Sequence, residues 1–244
     1  AEESNIELSF CKNADEVDVE KTDGIIAVGR FLSAELEKMK QLGIQVLFVD
    51  SNPDPHEFNS IQPNLQMMVE TAIEYFVQAG YQKIGFIGGR SWDSMEGRHV
   101  LRDTRTRCFE SRARELGLFN QNYVFIGDNF SVDSGYQVGR EIVGKIRDDL
   151  PQAFLVASDP LAVGVLQAFN ENKLTVPEDV SMISINDIDI AKYVSPPLTT
   201  FRIDTEELGK VAVETLRNLI VAPKKSKRMI LLDADLVFRK SFSI

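Results

Sequence analysis

Short, uninterrupted apolar runs alternate with amphipathic stretches along this chain. GIIAVG at 24–29 precedes LSAELEKMKQLG, and QVLFVD at 45–50 precedes PNLQMMVETAIEYFVQAG. KIGFIGG at 83–89, after a polar loop, leads to RTRCFESRARELG, and YVFIGD at 123–128 leads to SGYQVGREIVGKIRDDL. FLVASD, DPLAVGVLQAFNENK and SMISIND at 181–187 extend the series. Fully apolar strands separated by helical patterns predict parallel βαβ units in an α/β fold, because a parallel strand is covered on both faces. Strand twist makes their crossovers right-handed. EELGKVAVETLRNLI reads as a last amphipathic helix, and MILLDADLVFRKS as a final strand or strand pair. The lack of a short-period repeat argues against a solenoid.

Helix punctuation agrees with this division. Gly43, Gly80 and Gly117 each lie just past a periodic stretch, where glycine takes the left-handed conformation cheaply. Asp159-Pro160 and Thr205-Glu206-Glu207 read as helix starts, with Pro160 near the first turn and Thr205 as an N-cap.

Residues 153–204 hold the most informative pattern. Three apolar runs there end in small polar or acidic residues: Ser158 and Asp159 after FLVA, Asn186 and Asp187 after MISI, and Asp204 after TTFRI. Ligands of open parallel sheets bind beyond the carboxyl ends of the strands, so these groups are expected to converge on one molecule. Asp159 and Asp187 read equally well as caps of the following helices. Asp50, closing QVLFVD, is either a ligand acceptor or a turn residue. Arg105, near the start of its helix, either donates into the crevice or is one solvated arginine among Arg102, Arg107, Arg112 and Arg114. Phe130, after YVFIGD, is either a stacking platform or an ordinary core aromatic.

Composition narrows the function classes. The 244 residues suffice for one large domain or two small ones, and 43% hydrophobic with 26% charged residues is the balance of a globular chain. A net charge of −10 argues against this chain gripping a phosphate backbone by itself. The basic run Lys224-Lys225-Ser226-Lys227-Arg228 follows Ala222-Pro223 and reads as a solvated turn. Two cysteines, Cys11 and Cys108, make neither a disulfide framework nor a metal site, and a cytoplasmic location is expected. No secretory leader, long apolar span or membrane partner is legible. Nucleophile-elbow, Walker and dinucleotide motifs are missing, and His56 and His99 lack helical zinc-site spacing. Neither an enzyme, a metal nor a cofactor is expected.

VASDPLAVGVL, VPEDVSMISINDI and SPPLTTFRID, in that order, resemble hallmark segments of the lactose/galactose repressor (LacI/GalR) family, and the likeness runs from about Asp23 to Lys240. The resemblance implies two Rossmann-like parallel-sheet lobes of the type I periplasmic-binding-protein kind, joined by three crossovers. The expected division is 1–62 plus 205–228 for the first lobe and 63–204 plus 229–244 for the second. The family's first βα unit and its helix-turn-helix are expected to be missing from this sequence. The implied function is the effector-binding, dimerising core of a bacterial transcription repressor, with a sugar or sugar-derived effector and operator DNA reached only through the helix-turn-helix. An exported sugar-binding protein of a transport system is the alternative.

By the same resemblance, Asp50, Arg105, Phe130, Ser158, Asn186, Ile203 and Thr205 fall at ligand-flanking positions. Val163, Tyr193 and Val194 fall at the homodimer interface, or else are plain core packing. Ser158 stands where the family usually has asparagine, Asn186 where it usually has aspartate, and Cys108 where it usually has glycine. These departures leave the identity of the sugar open.

Overall fold

The computed structural model describes residues 6–92, 100–101, 103–223 and 225–242. Its strands are β1 (Gly24–Val28), β2 (Gln45–Val49), β3 (Asn59–Pro63), β4 (Ile84–Gly89), β5 (Ser91–Trp92), β6 (Val100–Leu101), β7 (Val124–Gly127), β8 (Ala153–Val156), β9 (Ser181–Asn186), β10 (Thr199–Arg202), β11 (Met229–Leu232) and β12 (Asp235–Val237). The helices are α1 (Ser33–Gln41), α2 (Leu65–Gln78), α3 (Thr104–Glu115), α4 (Val132–Ile146), α5 (Asp159–Glu171) and α6 (Thr205–Val221). The chain forms two compact units, one running to Pro63 and again over Asp204–Leu232, the other built from Asn64–Trp92, Val100–Ile203 and the segment from Asp233.

The first unit holds a parallel sheet in the order β1-β2-β3-β11. Successive side chains of a strand point to opposite faces, and β2 shows the result. Val46 and Phe48 pack with Met39 and Phe58 on one face, while Leu47 and Val49 pack with Ala212, Leu216 and Leu219 of α6 on the other. Both faces of β2 are covered, which is why VLFV at 46–49 is an unbroken apolar run. β11 belongs here because Met229–Leu232 pairs in parallel with Ser60–Pro63. The last crossing therefore follows Leu232 rather than residue 228, and the first unit begins its return at Asp204 rather than Thr205.

The second unit carries the order β12-β10-β9-β8-β4-β7, parallel except for the β10–β12 pair. β4 enters first; β7 joins one side of it and β8 the other. The strand order thus reverses around β4, and that switch point is where an open α/β sheet leaves a crevice at its carboxyl edge. On this sheet Phe86, Phe109, Phe154, Phe169 and Phe201 are fully buried. Helices α4 and α5 touch backbone to backbone: a Cβ on Gly135 would lie 2.2 Å from the Leu161 carbonyl oxygen, and one on Gly164 2.0 Å from that of Val132. Only glycine fits at either place.

Helix ends match most of the sequence expectations. Gly43, Gly80 and Gly117 take φ of 70°, 80° and 71° just past α1, α2 and α3. After α3 the Leu118 amide donates to the Ala113 carbonyl and that of Gly117 to Arg114, the paired bonds of a Schellman stop. One expectation is corrected: Asp204, not Thr205, caps α6, its carboxylate accepting from the Glu207 amide at 2.9 Å. Thr205 is the first helical residue, one place too far along the chain to cap, and the preceding aspartate occupies the N-cap position.

Candidate functional site

The site grows from the carboxyl ends of β4, β7 and β8. Gly89 ends β4, and a Cβ there would meet the Asn129 carbonyl oxygen at 2.5 Å and the Phe130 ring at 3.0 Å. Its missing side chain lets the loop between β7 and α4 fold over the end of β4, which sets Phe130 at the switch point. Ser131 then starts α4 by accepting from the Ser134 amide.

Arg105 reaches the same place from the first turn of α3. Its Nε and Nη2 donate to the two carboxylate oxygens of Asp103 at 2.7 and 3.0 Å, and Nη1 donates to the Ala157 carbonyl at the end of β8, 2.6 Å away. The guanidinium carbon stands 4.6 Å from the centre of the Phe130 ring, within cation–π range. Asp103 also caps α3 through the Arg105 amide at 2.9 Å. Asp103 is not among the site residues expected from sequence, although an aspartate just before an arginine-rich helix is an N-cap signal.

Ser158 follows Ala157 and opens α5. Its hydroxyl is buried and, among the described residues, has no hydrogen-bond partner; it does not cap its own helix. Such a group costs roughly 1–3 kcal/mol when left unmatched.

Asp159 is not a cap either. It is fully buried, with Oδ1 accepting from the Ser184 and Thr200 hydroxyls at 2.5 and 2.7 Å and Oδ2 from the Ile188 amide at 2.8 Å. The aspartate ties α5 to β9 and β10 from inside the sheet. Burial pushes its carboxyl above the usual carboxylate range, against the pull of those three donors.

Asn186 and Asp187, at the exit of β9, take φ of 121° and 54°, a left-handed stretch unusual for residues with side chains. The surroundings hold this bend in place. Asp187 caps no helix but binds Arg202 Nε at 2.8 Å and Arg239 Nη2 at 2.6 Å, while Arg239 Nη1 donates to the Leu198 carbonyl. Burial works to raise the Asp187 carboxyl, and the two arginines overcome it, leaving the group below its ordinary value. Asn186 is half-buried, its carbonyl accepting from the Ile203 amide at 3.4 Å, so Ile203 and Asn186 lie side by side at the ends of neighbouring strands.

Asp50 and Thr205 lie in the first unit. Asp50, at φ 65°, follows β2 and is exposed, and its amide donates to the Ile61 carbonyl. Next to it the Ser51 hydroxyl donates to the Gly29 carbonyl at the exit of β1. Thr205 is exposed at the start of α6. Of the remaining positions, Tyr193 is 79% exposed, whereas Val163 and Val194 are half-buried against the core of the second unit. Among the described residues no acidic, histidine and cysteine groups cluster as metal ligands do, and no helix is long and apolar enough to cross a membrane. A depression of about 460 Å³ beside β7, lined by Gln121, Phe125, Glu141 and Lys145 among others, contains none of the strand-end residues above.

The switch-point geometry is that of a periplasmic binding protein-like domain, and residues 73–242 match the family model of that description. Solved structures share the fold. A LacI family regulator, CCPA from Weissella paramesenteroides with bound sucrose, superposes with a TM-score of 0.76 at 20% identity over 91% of this chain and 78% of that one. The regulator CelR in complex with cellobiose gives 0.76 at 21% identity over 91% and 67%. Among curated proteins, the HTH-type transcriptional regulator GanR of Bacillus subtilis (strain 168) is 39% identical over 98% of this chain and 73% of its own length. LacR of Lactobacillus helveticus is 41% identical over 90% and 65%, and GalR of Lacticaseibacillus casei 36% over 91% and 66%. The chain belongs to the LacI/GalR family of transcription regulators. It spans just under two thirds of the length of the LacR and GalR relatives.

Proposed function

We propose that this chain is the effector-sensing core of a sugar-responsive transcription repressor. The stacked Arg105–Phe130 pair at the switch point carries the reading. An aromatic face beside fixed N–H donors suits a pyranose, whose CH-rich side packs on the ring while its hydroxyls take the hydrogen bonds. The unmatched Ser158 hydroxyl supports the same site, since a ligand hydroxyl would satisfy it. Asn186 and Ile203 complete the proposed ligand contacts of the second unit, and Asp50 and Thr205 remain proposed ligand-flanking residues of the first unit, taken by itself.

Effector binding then favours one arrangement of the regulator and changes its affinity for operator DNA, which requires different effector affinities in the two arrangements. The net charge of −10 fits DNA contact through a separate helix-turn-helix rather than through these residues. A cytoplasmic homodimer, meeting through Val163, Tyr193 and Val194, that leaves its ligand chemically unchanged is part of the same reading. The relatives' description as HTH-type regulators favours it over an exported sugar carrier and over an enzyme. Thermal-shift measurements across hexoses and disaccharides test it: a selective rise in melting temperature is expected, because a ligand of the folded state raises apparent stability. No shift with any sugar contradicts it.

A further inference from the structure

We propose that Asp103 determines effector specificity, admitting uncharged carbohydrate and turning away sugar phosphates and sugar acids. The inference rests on the sugar-sensing reading above and adds the chemical class of the effector.

The donor capacity of Arg105 limits what it can bind. A guanidinium carries five N–H donors, and its adjacent pairs form the forks that grip carboxylates and phosphates bidentately. Here the Nε/Nη2 fork is filled from inside the protein by both oxygens of Asp103, and Nη1 gives one proton to the Ala157 carbonyl. One N–H remains on each terminal nitrogen. With the positive charge behind them already balanced by Asp103, those two donors suit hydroxyl oxygens better than an anion.

The carboxylate is also held where it is. Asp103 caps α3 through the Arg105 amide, so it cannot swing aside without releasing the helix end. Side-chain exposure is 6% for Asp103 and 13% for Arg105, which keeps solvent from screening the negative charge. An anionic group drawn to Arg105 would sit beside that carboxylate, a repulsive contact that a hydroxyl does not meet. The neighbouring strand-end candidates are neutral as well, a hydroxyl at Ser158 and an amide at Asn186.

Calorimetric titration at neutral pH tests the proposal with glucose, galactose, sucrose and cellobiose, set against glucose 6-phosphate, galactose 6-phosphate, glucuronate and galacturonate. Wild-type protein is expected to bind a neutral sugar at least about tenfold more tightly than its charged analogue. Asp103→Asn, which keeps the cap and the size but not the charge, is expected to narrow that ratio by about tenfold. Asp103→Ser, another good cap, supplies the same measurement if the asparagine variant fails a melting control. A charged analogue that binds wild type as well as its neutral counterpart, or a ratio unchanged in the folded variant, overturns the role of Asp103 and leaves sugar sensing in place. Failure of every sugar, neutral and charged, to bind wild type overturns both.

Discussion

Asp159 on α5 accepts hydrogen bonds from Ser184 on β9, which with Thr200 on β10 and the Ile188 amide surrounds one carboxylate wholly inside the protein. Its members stand within three residues of Ser158, Asn186 and Ile203 along the chain, so the segments carrying three candidate ligand residues share one internal tie. Asp159→Ala is expected to destabilise the protein by about 3 kcal/mol, because it strands two buried hydroxyls and an amide. Urea denaturation measures this, and a cost near zero would mean the donors find other partners.

The two neighbouring aspartates respond to pH in opposite senses. Asp187 has a depressed folded pKa, so its contribution is present above the unfolded carboxylate value, about 3.9, and is lost as pH falls through the lower folded value. Asp159 has a raised one, so its contribution is full below the unfolded value and declines as pH rises through the folded value. Denaturation midpoints followed from neutral pH down past pH 4 are therefore expected to fall less steeply in Asp187→Asn than in wild type. An equal slope would contradict the arginine pairing.

The α4–α5 contact predicts a severe glycine effect. Gly135→Ala places a methyl against the Leu161 backbone, which has no side-chain freedom with which to yield. A loss of about 2–3 kcal/mol is expected, at the upper end of overpacking costs. Gly144→Ala on the same helix meets nothing within 4 Å and serves as the control. Equal stability of the two variants would contradict the backbone contact.

Tyr193, at 79% exposure, is a large aromatic left without a cover in the single chain. If it is a dimer contact, Tyr193→Asp is expected to halve the mass seen by light scattering while leaving the melting temperature of the chain nearly unchanged. A wild-type monomer, or a dimer indifferent to this change, would move the interface elsewhere.

Much of this architecture was legible from local pattern. Apolar runs such as VLFV and FLVA read as covered strands because both faces of each are buried, and Gly43, Gly80 and Gly117 mark helix ends because the left-handed stop is a local event. Strand-end polar groups were legible for the same reason. What depended on long-range pairing was not. Asp159 reads as a cap in sequence because its partners lie 25 and 41 residues away, and Asp187 does so because Arg239 lies 52 residues away. The last crossing falls after Leu232 because β11 pairs with β3, a register that the basic turn before it does not reveal. Asp103 escaped because its bidentate grip on Arg105 exists only once Ala157 and Phe130 hold the guanidinium in place.

Arg105, held by Asp103 and Ala157 and lying over Phe130, is the proposed sugar contact on which the functional reading turns. Calorimetric titration of Arg105→Ala with the sugar that shifts the wild-type melting temperature tests it most directly. Loss of detectable binding is expected in a variant that still unfolds cooperatively. Unchanged affinity in that folded variant would contradict it.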